Sequence, residues 1–389
     1  MNRNPPAAAH ALPDSRRLAA ARHADRLQFA ALGILGGAWG VHIPSVKVRY
    51  GLDEATLSLV LLTIAAGALS SLLFAGRAIA RIGARRAAVL AALVMSAMLA
   101  LALSWPSLPW LLPSMLLFGA AMSLFDVAIN AEGTVLESLS GRTVMGSLHG
   151  MFSLGGMAGA ALAAALLRAA VPPALQLAGI AAAVAALALA ASRAMLDAHP
   201  EAGSDEAHFA WPRGALLLIG LLIFAGMIAE GVMYDWSVLY LHQELGMAQS
   251  QAGIGFAVFS LAMALSRFGG DALRARHPER RLLAGGAGLA AVAMLALLLL
   301  RHPVVALAGY LFVGAGLALV VPILYNAATR VPGVSRAAAI ASVSSVGYAG
   351  FLIGPPVIGF VAHASSLSLA MGLVVVAAVA LALGARRVA

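Results

Sequence analysis

Twelve apolar runs, each long enough to cross a bilayer, leave this chain few ways to fold. They lie at about 27–46, 56–75, 87–104, 110–136, 144–168, 174–193, 214–241, 251–270, 282–300, 304–328, 337–362 and 367–385, separated by Arg, Pro and polar residues. A bilayer core of about 30 Å takes about 20 apolar residues as a helix. Inside lipid every backbone N–H and C=O must find a partner within the protein, so such runs predict helices rather than open strands. Composition closes the alternative: hydrophobic residues make up 62% and charged residues 11% of the 389, against roughly half and a quarter in soluble domains. The chain reads as an all-α integral membrane protein of twelve transmembrane helices.

Charge placement gives the orientation. The formal net charge is +9, but the basic residues are spread over short connections, so the excess is a topology signal and not a nucleic-acid surface. With both termini in the cytoplasm, the outer segments hold only Lys47, Arg49, Arg168 and Arg301. Residues 1–26, with Arg3, Arg16, Arg17 and Arg22 among Pro and Ala, contain no short apolar core ending in a small-residue cleavage site and read as a cytoplasmic tail. The expected location is a bacterial inner membrane, multi-pass, with the lipid bilayer as surroundings.

The longest polar interruption, 197–211, divides the runs six and six. The expected organisation is a tail at 1–26, a six-helix half at 27–193, a central cytoplasmic loop at 194–213 and a second half at 214–389. An internal repeat supports it. Arg81, Arg85 and Arg86 recur as Arg276, Arg280 and Arg281, and Gly51-Leu52 as Gly246-Met247, all displaced by 195 residues. Asn130-Ala131 returns as Asn326-Ala327, and Trp39 has a rough counterpart in Trp236. Parallel duplication of six-span halves places a substrate site between them near the bilayer midplane.

Polar residues inside apolar runs mark where that site is expected, because a carboxylate in a span is costly unless it faces a protein interior or water. Asp126, Asn130 and Glu132 lie in the fourth run, and Glu230 and Asp235 in the seventh. Burial favours the neutral carboxyl, whereas a nearby Arg or bound cation favours the ionised one, and a group balanced between them can carry a proton. The structural alternative is a protonated carboxyl bonded to backbone or Asn. Glu132 has a further alternative in pairing with Arg142. His149, about one turn into the fifth run, titrates near neutrality, or else serves as an interhelical hydrogen-bonding group. Trp39, Trp236, Tyr325 and Tyr348 offer an apolar face with a polar edge to a solute, and Asn130 and Asn326 offer hydrogen bonds or bind helix to helix. Gly36 with Gly40, Gly155 with Gly159, and Gly350 with Gly354 are spaced for close helix approach. Pro355 and Pro356 predict a bend in the eleventh run.

Soluble-enzyme chemistry is missing from the sequence: it has no His-Glu-x-x-His, no Gly-x-x-x-x-Gly-Lys-Ser/Thr, no Gly-x-Ser-x-Gly and no Cys. No cofactor and no metal site is expected, and the chain reads as no enzyme. An ion gradient or the solute's own gradient is left as the driving force.

The loop Gly76-Arg-Ala-Ile-Ala-Arg-Ile-Gly-Ala-Arg-Arg86 resembles the signature between the second and third helices of major facilitator superfamily transporters, Gly76, Arg81, Gly83 and Arg85 matching. Ala80 stands where the family usually has an Asp that joins a cytoplasmic charge relay, and Ala84 where it has a basic residue. A looser second copy carries Arg267, Gly270, Asp271 and Arg276. Four further stretches resemble the bacterial MosC/YbjJ-like branch: Asp126-Val-Ala-Ile-Asn-Ala-Glu132, Ser147-Leu-His-Gly-Met-Phe-Ser-Leu-Gly-Gly156, Glu230-Gly-Val-Met-Tyr-Asp-Trp-Ser237 and Gly347-Tyr-Ala-Gly-Phe-Leu-Ile-Gly-Pro-Pro356. The resemblance implies two pseudo-symmetric six-helix halves of the major facilitator fold, in a monomer that alternates access. It implies secondary active transport of a small polar, sugar-like solute, with protons as coupling ion and Gly76, Arg81, Gly83, Arg85, Arg86, Asp271 and Arg276 shaping the cytoplasmic gate. Proton-driven efflux of amphipathic compounds and a non-transporting sensor are the alternatives.

Overall fold

The computed structural model describes residues 14–196 and 212–388, the Ala337 side chain excepted. Half of the expected tail (1–13) and most of the expected central loop (197–211) lie outside the described residues. The helices are α1 (Ser15–Tyr50), α2 (Glu54–Ile82), α3 (Ala84–Leu101), α4 (Leu108–Ser140), α5 (Met145–Arg168), α6 (Pro173–Ser192), α7 (Ala215–Gln243), α8 (Gln249–Arg276), α9 (Glu279–Leu300), α10 (Pro303–Leu317), α11 (Val320–Ala328), α12 (Arg336–Ala364) and α13 (Leu367–Gly384). Twelve spans long and apolar enough to cross a membrane result among the described residues, α10 and α11 making up one.

Local chemistry sets the ends. Asp14, Asp53, Ser335 and Ser366 cap α1, α2, α12 and α13, each side chain accepting an N–H of the first turn. Gly51 and Gly246 turn the chain out of α1 and α7 at φ 62° and 65°, a backbone region that favours glycine. The same device at the same repeat position is a structural echo of the duplication. α1 starts at Ser15, well before its apolar run, so the latter part of the expected tail is helical. At Pro355 and Pro356, where a bend is expected, α12 runs on without a break. The tenth span is broken between Leu317 and Val320.

Within the first half, α1 packs on α5 and α2 on α4; in the second, α7 packs on α12, and α9 on α10 and α13. Small residues make this possible. A Cβ on Gly33, Gly37, Gly155 or Gly159 would fall 2.0–2.2 Å from a carbonyl oxygen of the facing helix, so α1 and α5 meet backbone to backbone. Gly67 and Gly119 do the same for α2 and α4, at 1.9 Å each. The expected Gly36 faces open space, and Gly40 meets Phe256 and the Tyr234 carbonyl of the other half; the close pair on α1 is Gly33 with Gly37.

The halves meet where α5 packs on α8, α2 on α12, and α1 on α7 and α8. At the face opposite the described chain ends, Gln249 Nε2 donates to Val41 O and Ser45 Oγ, both at 2.8 Å. There too Gly359 packs against Ser58 and the Glu54 carbonyl, and His363 Nδ1 lies 3.6 Å from Asp53 Oδ2.

Candidate functional site

Two polar groupings occupy the interior where the halves face each other. The first is built on α4. Asn130 lies one turn beyond Asp126, so its amide folds back and donates to Asp126 Oδ1 at 3.0 Å and to the Asp126 carbonyl at 2.8 Å. Across the bundle, Tyr325 on α11 and Tyr348 on α12 stand within electrostatic reach of the Asp126 carboxylate. Ser344 donates to the Tyr325 hydroxyl at 3.0 Å, fixing that ring. An acid of one half thus faces phenols of the other, all partly buried. A ligand with several hydroxyls would find acceptors and donors on both halves here.

The second grouping joins α7, α8 and α5. Arg267 Nη2 donates to Glu230 Oε1 at 3.0 Å, both side chains only 12% exposed. Arg267 Nη1 donates to Ser153 Oγ on α5 at 2.8 Å. An ion pair of the second half therefore reaches into the first. Tyr234, one turn after Glu230, lies within electrostatic reach of both charges, without meeting hydrogen-bond geometry to either. Its ring is boxed by Phe152, Phe256 and Phe259. His149 is exposed, edge-on to Phe29 at 5.3 Å and within the field of Arg267. Partners for the buried charges are what make their burial tolerable.

The other expected residues lie elsewhere. Trp39 is buried in the first half, 6.1 Å from the Phe118 ring. Asp235 and Trp236 line a void of about 10 Å³ between α7 and α12 with Gly350, Phe351 and Pro355; Trp236 is fully buried and its Nε1 has no acceptor. Glu132 does not pair with Arg142, which is exposed; it is fully buried and accepts from the Leu196 amide at 2.5 Å. Asn326 is drawn to the face bearing the chain ends, where its amide donates to Glu279 at 2.9 Å. Glu279 also pairs with Arg274 at 2.6 Å and with Arg330 at 3.4 Å. These residues line an open polar cleft of about 610 Å³ with Asp271 and Arg280.

The residues expected to shape a gate lie at or near helix ends. Gly76 and Arg81 are on the last turns of α2, Gly83 joins α2 to α3 at φ 83°, and Arg85 and Arg86 open α3. Asp271 and Arg276 end α8, with Asp271 3.9 Å from Arg274. Arg267, part of the looser second copy and of the eighth run, lies within α8 as the partner of Glu230, a role that sequence reasoning did not give it. The signal was available, since an Arg within an apolar run obeys the same rule as a carboxylate there.

The sequence profile of the Major Facilitator Superfamily matches residues 27–334 and 216–388. An uncharacterised MFS-type transporter of Yersinia pestis is 37% identical over 367 residues, 93% of this chain and 94% of that one. Membrane protein MosC of Rhizobium meliloti is 30% identical over 345 residues, 88% and 84% of the two chains. The structure of the nucleoside transporter NupG superposes with a TM-score of 0.75 at 14% identity, covering 95% of this chain and 99% of that one. That of a D-xylose-proton symporter gives 0.74 at 14%, covering 92% and 96%.

Proposed function

The chain belongs to the Major Facilitator Superfamily, is a transporter and not an enzyme, and we propose that it carries a small polar solute by alternating access, coupled to protons. The observation that carries this reading is the opposition of Asp126 and Asn130 on one half to Tyr325 and Tyr348 on the other. A solute bound between them touches both halves, so binding favours the arrangement in which they close on it. Four oxygen- and nitrogen-bearing side chains, two of them on aromatic rings, suit a hydroxylated, sugar-like molecule. NupG and the xylose symporter, which share the fold, are named for polar solutes, in line with this reading.

Proton coupling enters through the acids. Glu230 is held by Arg267, which also bonds Ser153 of the first half. Protonation of Glu230 weakens its hold on Arg267 and so alters a contact between the halves. Asp126, whose one side-chain donor is Asn130, is placed to take a proton or a solute hydroxyl. The Arg-bearing loops at the face of the chain ends, Arg81, Arg85 and Arg86 in one half and Arg274, Arg276 and Glu279 in the other, shape the gate.

Purified protein in liposomes with a trapped pH dye, exposed to pooled solutes under an imposed proton gradient, tests the proposal. Solute-dependent proton movement that disappears in Asp126→Asn and in Glu230→Gln is the expected result. Solute flux without proton movement removes the coupling, and solute binding without flux turns the reading toward a sensor.

A further inference from the structure

Nearer the face of the chain ends, two more acids lie inside the first half, apart from the two groupings above. Asp25 on α1 and Glu132 on α4 are both 0% exposed, and their carboxylates are within electrostatic reach of each other. Asp25 also packs on the same turn of α4: a Cβ on Gly133, the residue after Glu132, would lie 3.3 Å from Asp25 Oδ2. Donors are few. Glu132 Oε1 accepts from the Leu196 amide, and Arg17 adds a positive field to Glu132 while donating to Met195 O at 3.0 Å. Among the described residues, Glu132 Oε2 and both Asp25 oxygens have no hydrogen-bond partner. Gln28, a turn beyond Asp25 and also 0% exposed, contributes a further unpartnered oxygen, its amide nitrogen being used on Ala188 O.

The other cations of α1 are not engaged with the pair. Arg26 donates to Ser147 on α5 at 3.4 Å, and Arg22 keeps its Nε without an acceptor. Two adjacent buried carboxyls disfavour each other's ionised form, and buried acceptors without donors are costly. A single proton answers both problems, by removing one charge and supplying the missing donor. Glu132, with the Leu196 amide and the field of Arg17, is the better anion; Asp25 has neither. We propose that Asp25 and Glu132 form a proton-binding site within the first half, in which Asp25 holds the proton and donates its O–H to Glu132 Oε2. A metal cation would want about six oxygens or more, whereas a proton needs only these two. Glu132 and Arg17 also hold Leu196 and Met195, which lead out of α6 toward the second half. The occupancy of the site is thereby tied to how that connection is anchored.

Infrared spectra of the full-length protein in lipid at neutral pH test this through the carbonyl stretch of protonated carboxyl groups. Asp25→Asn is expected to lose one carboxyl's share of that band, and Glu132→Gln to keep it. Asn at position 25 offers the same kind of donor to Glu132, so the variant should fold; its melting temperature should fall less than that of wild type between neutral and alkaline pH. An identical band in wild type and Asp25→Asn overturns the proposal. So does an Asp25-dependent rise in melting temperature with sodium, which would make the pair a metal-cation site. The readout needs no transported solute, so it stands or falls separately from the transport reading.

Discussion

Replacing Glu230 by Gln removes the negative half of an ion pair that spans 3.0 Å with each side chain 12% exposed. Arg267 then keeps Ser153 Oγ at 2.8 Å and the neutral amide oxygen of the new Gln as acceptors, but no counter-charge. Stranding one member of a buried pair costs about 3–5 kcal/mol, most of it the penalty of an uncompensated charge. The residual exposure argues for the lower end, about 3 kcal/mol. The double variant Glu230→Gln/Arg267→Met removes the stranded charge along with its partner, and it should recover about half or more of that loss, since apolar replacement of a whole buried pair is often neutral. Equilibrium unfolding in mixed micelles, followed by the fluorescence of the five tryptophans, measures both. Coupled transport should be lost in both, because the contact to Ser153 on the other half depends on the pair. A Glu230→Gln protein within about 0.5 kcal/mol of wild type would refute the reasoning, since that is the behaviour of a solvated surface pair.

Tyr348→Phe removes a hydroxyl near Asp126 and should raise the KM for solute about tenfold, the worth of one hydrogen bond to a ligand, with folding unchanged; solute flux in liposomes reads it. Gly33→Ala puts a methyl 2.0 Å from the Phe152 carbonyl and should cost several kcal/mol by forcing α1 from α5, whereas Gly179→Ala, facing open space, should be neutral or slightly stabilising; thermal melts compare them. The Asp53 carboxyl, capping α2, is held below the ordinary carboxylate range chiefly by the Thr56 hydroxyl and amide. Its contribution is therefore complete above the unfolded value and lost as pH falls through the lower folded one. The stability difference between wild type and Asp53→Ala should stay constant from neutral pH down to about pH 4 and shrink only below it.

The spans and the two halves were legible because hydropathy over about 20 residues is a long signal, and because the repeat left Gly51 and Gly246 as matching helix exits. The site was legible only as a set of costly residues. That Asp126 faces two tyrosines depends on how α4 lies against α11 and α12, which no local pattern encodes. Asn326 shows the limit: its repeat partner Asn130 serves Asp126, yet Asn326 is taken by Glu279, which has Ala84 as its counterpart in the first half. Repeats preserve backbone geometry better than chemistry. Asp25 was overlooked because it precedes the apolar run; the helix begins ten residues earlier, at Ser15, and carries it into the packed interior.

The glycines of the first half and those of the α5–α8 seam make joints of two kinds. Inside the first half, a methyl at Gly33, Gly37, Gly67, Gly119, Gly155 or Gly159 meets main-chain atoms that cannot give way. Along the α5–α8 seam, by contrast, Gly150 meets the Phe268 ring, Gly156 the Ser260 side chain and Gly253 the methyl of Ala164. A joint made of side chains can be reshaped one rotamer or one substitution at a time, while one made of backbone tolerates neither. Sequence drift, like thermal motion, should therefore collect along the α5–α8 seam and spare the α1–α5 and α2–α4 joints.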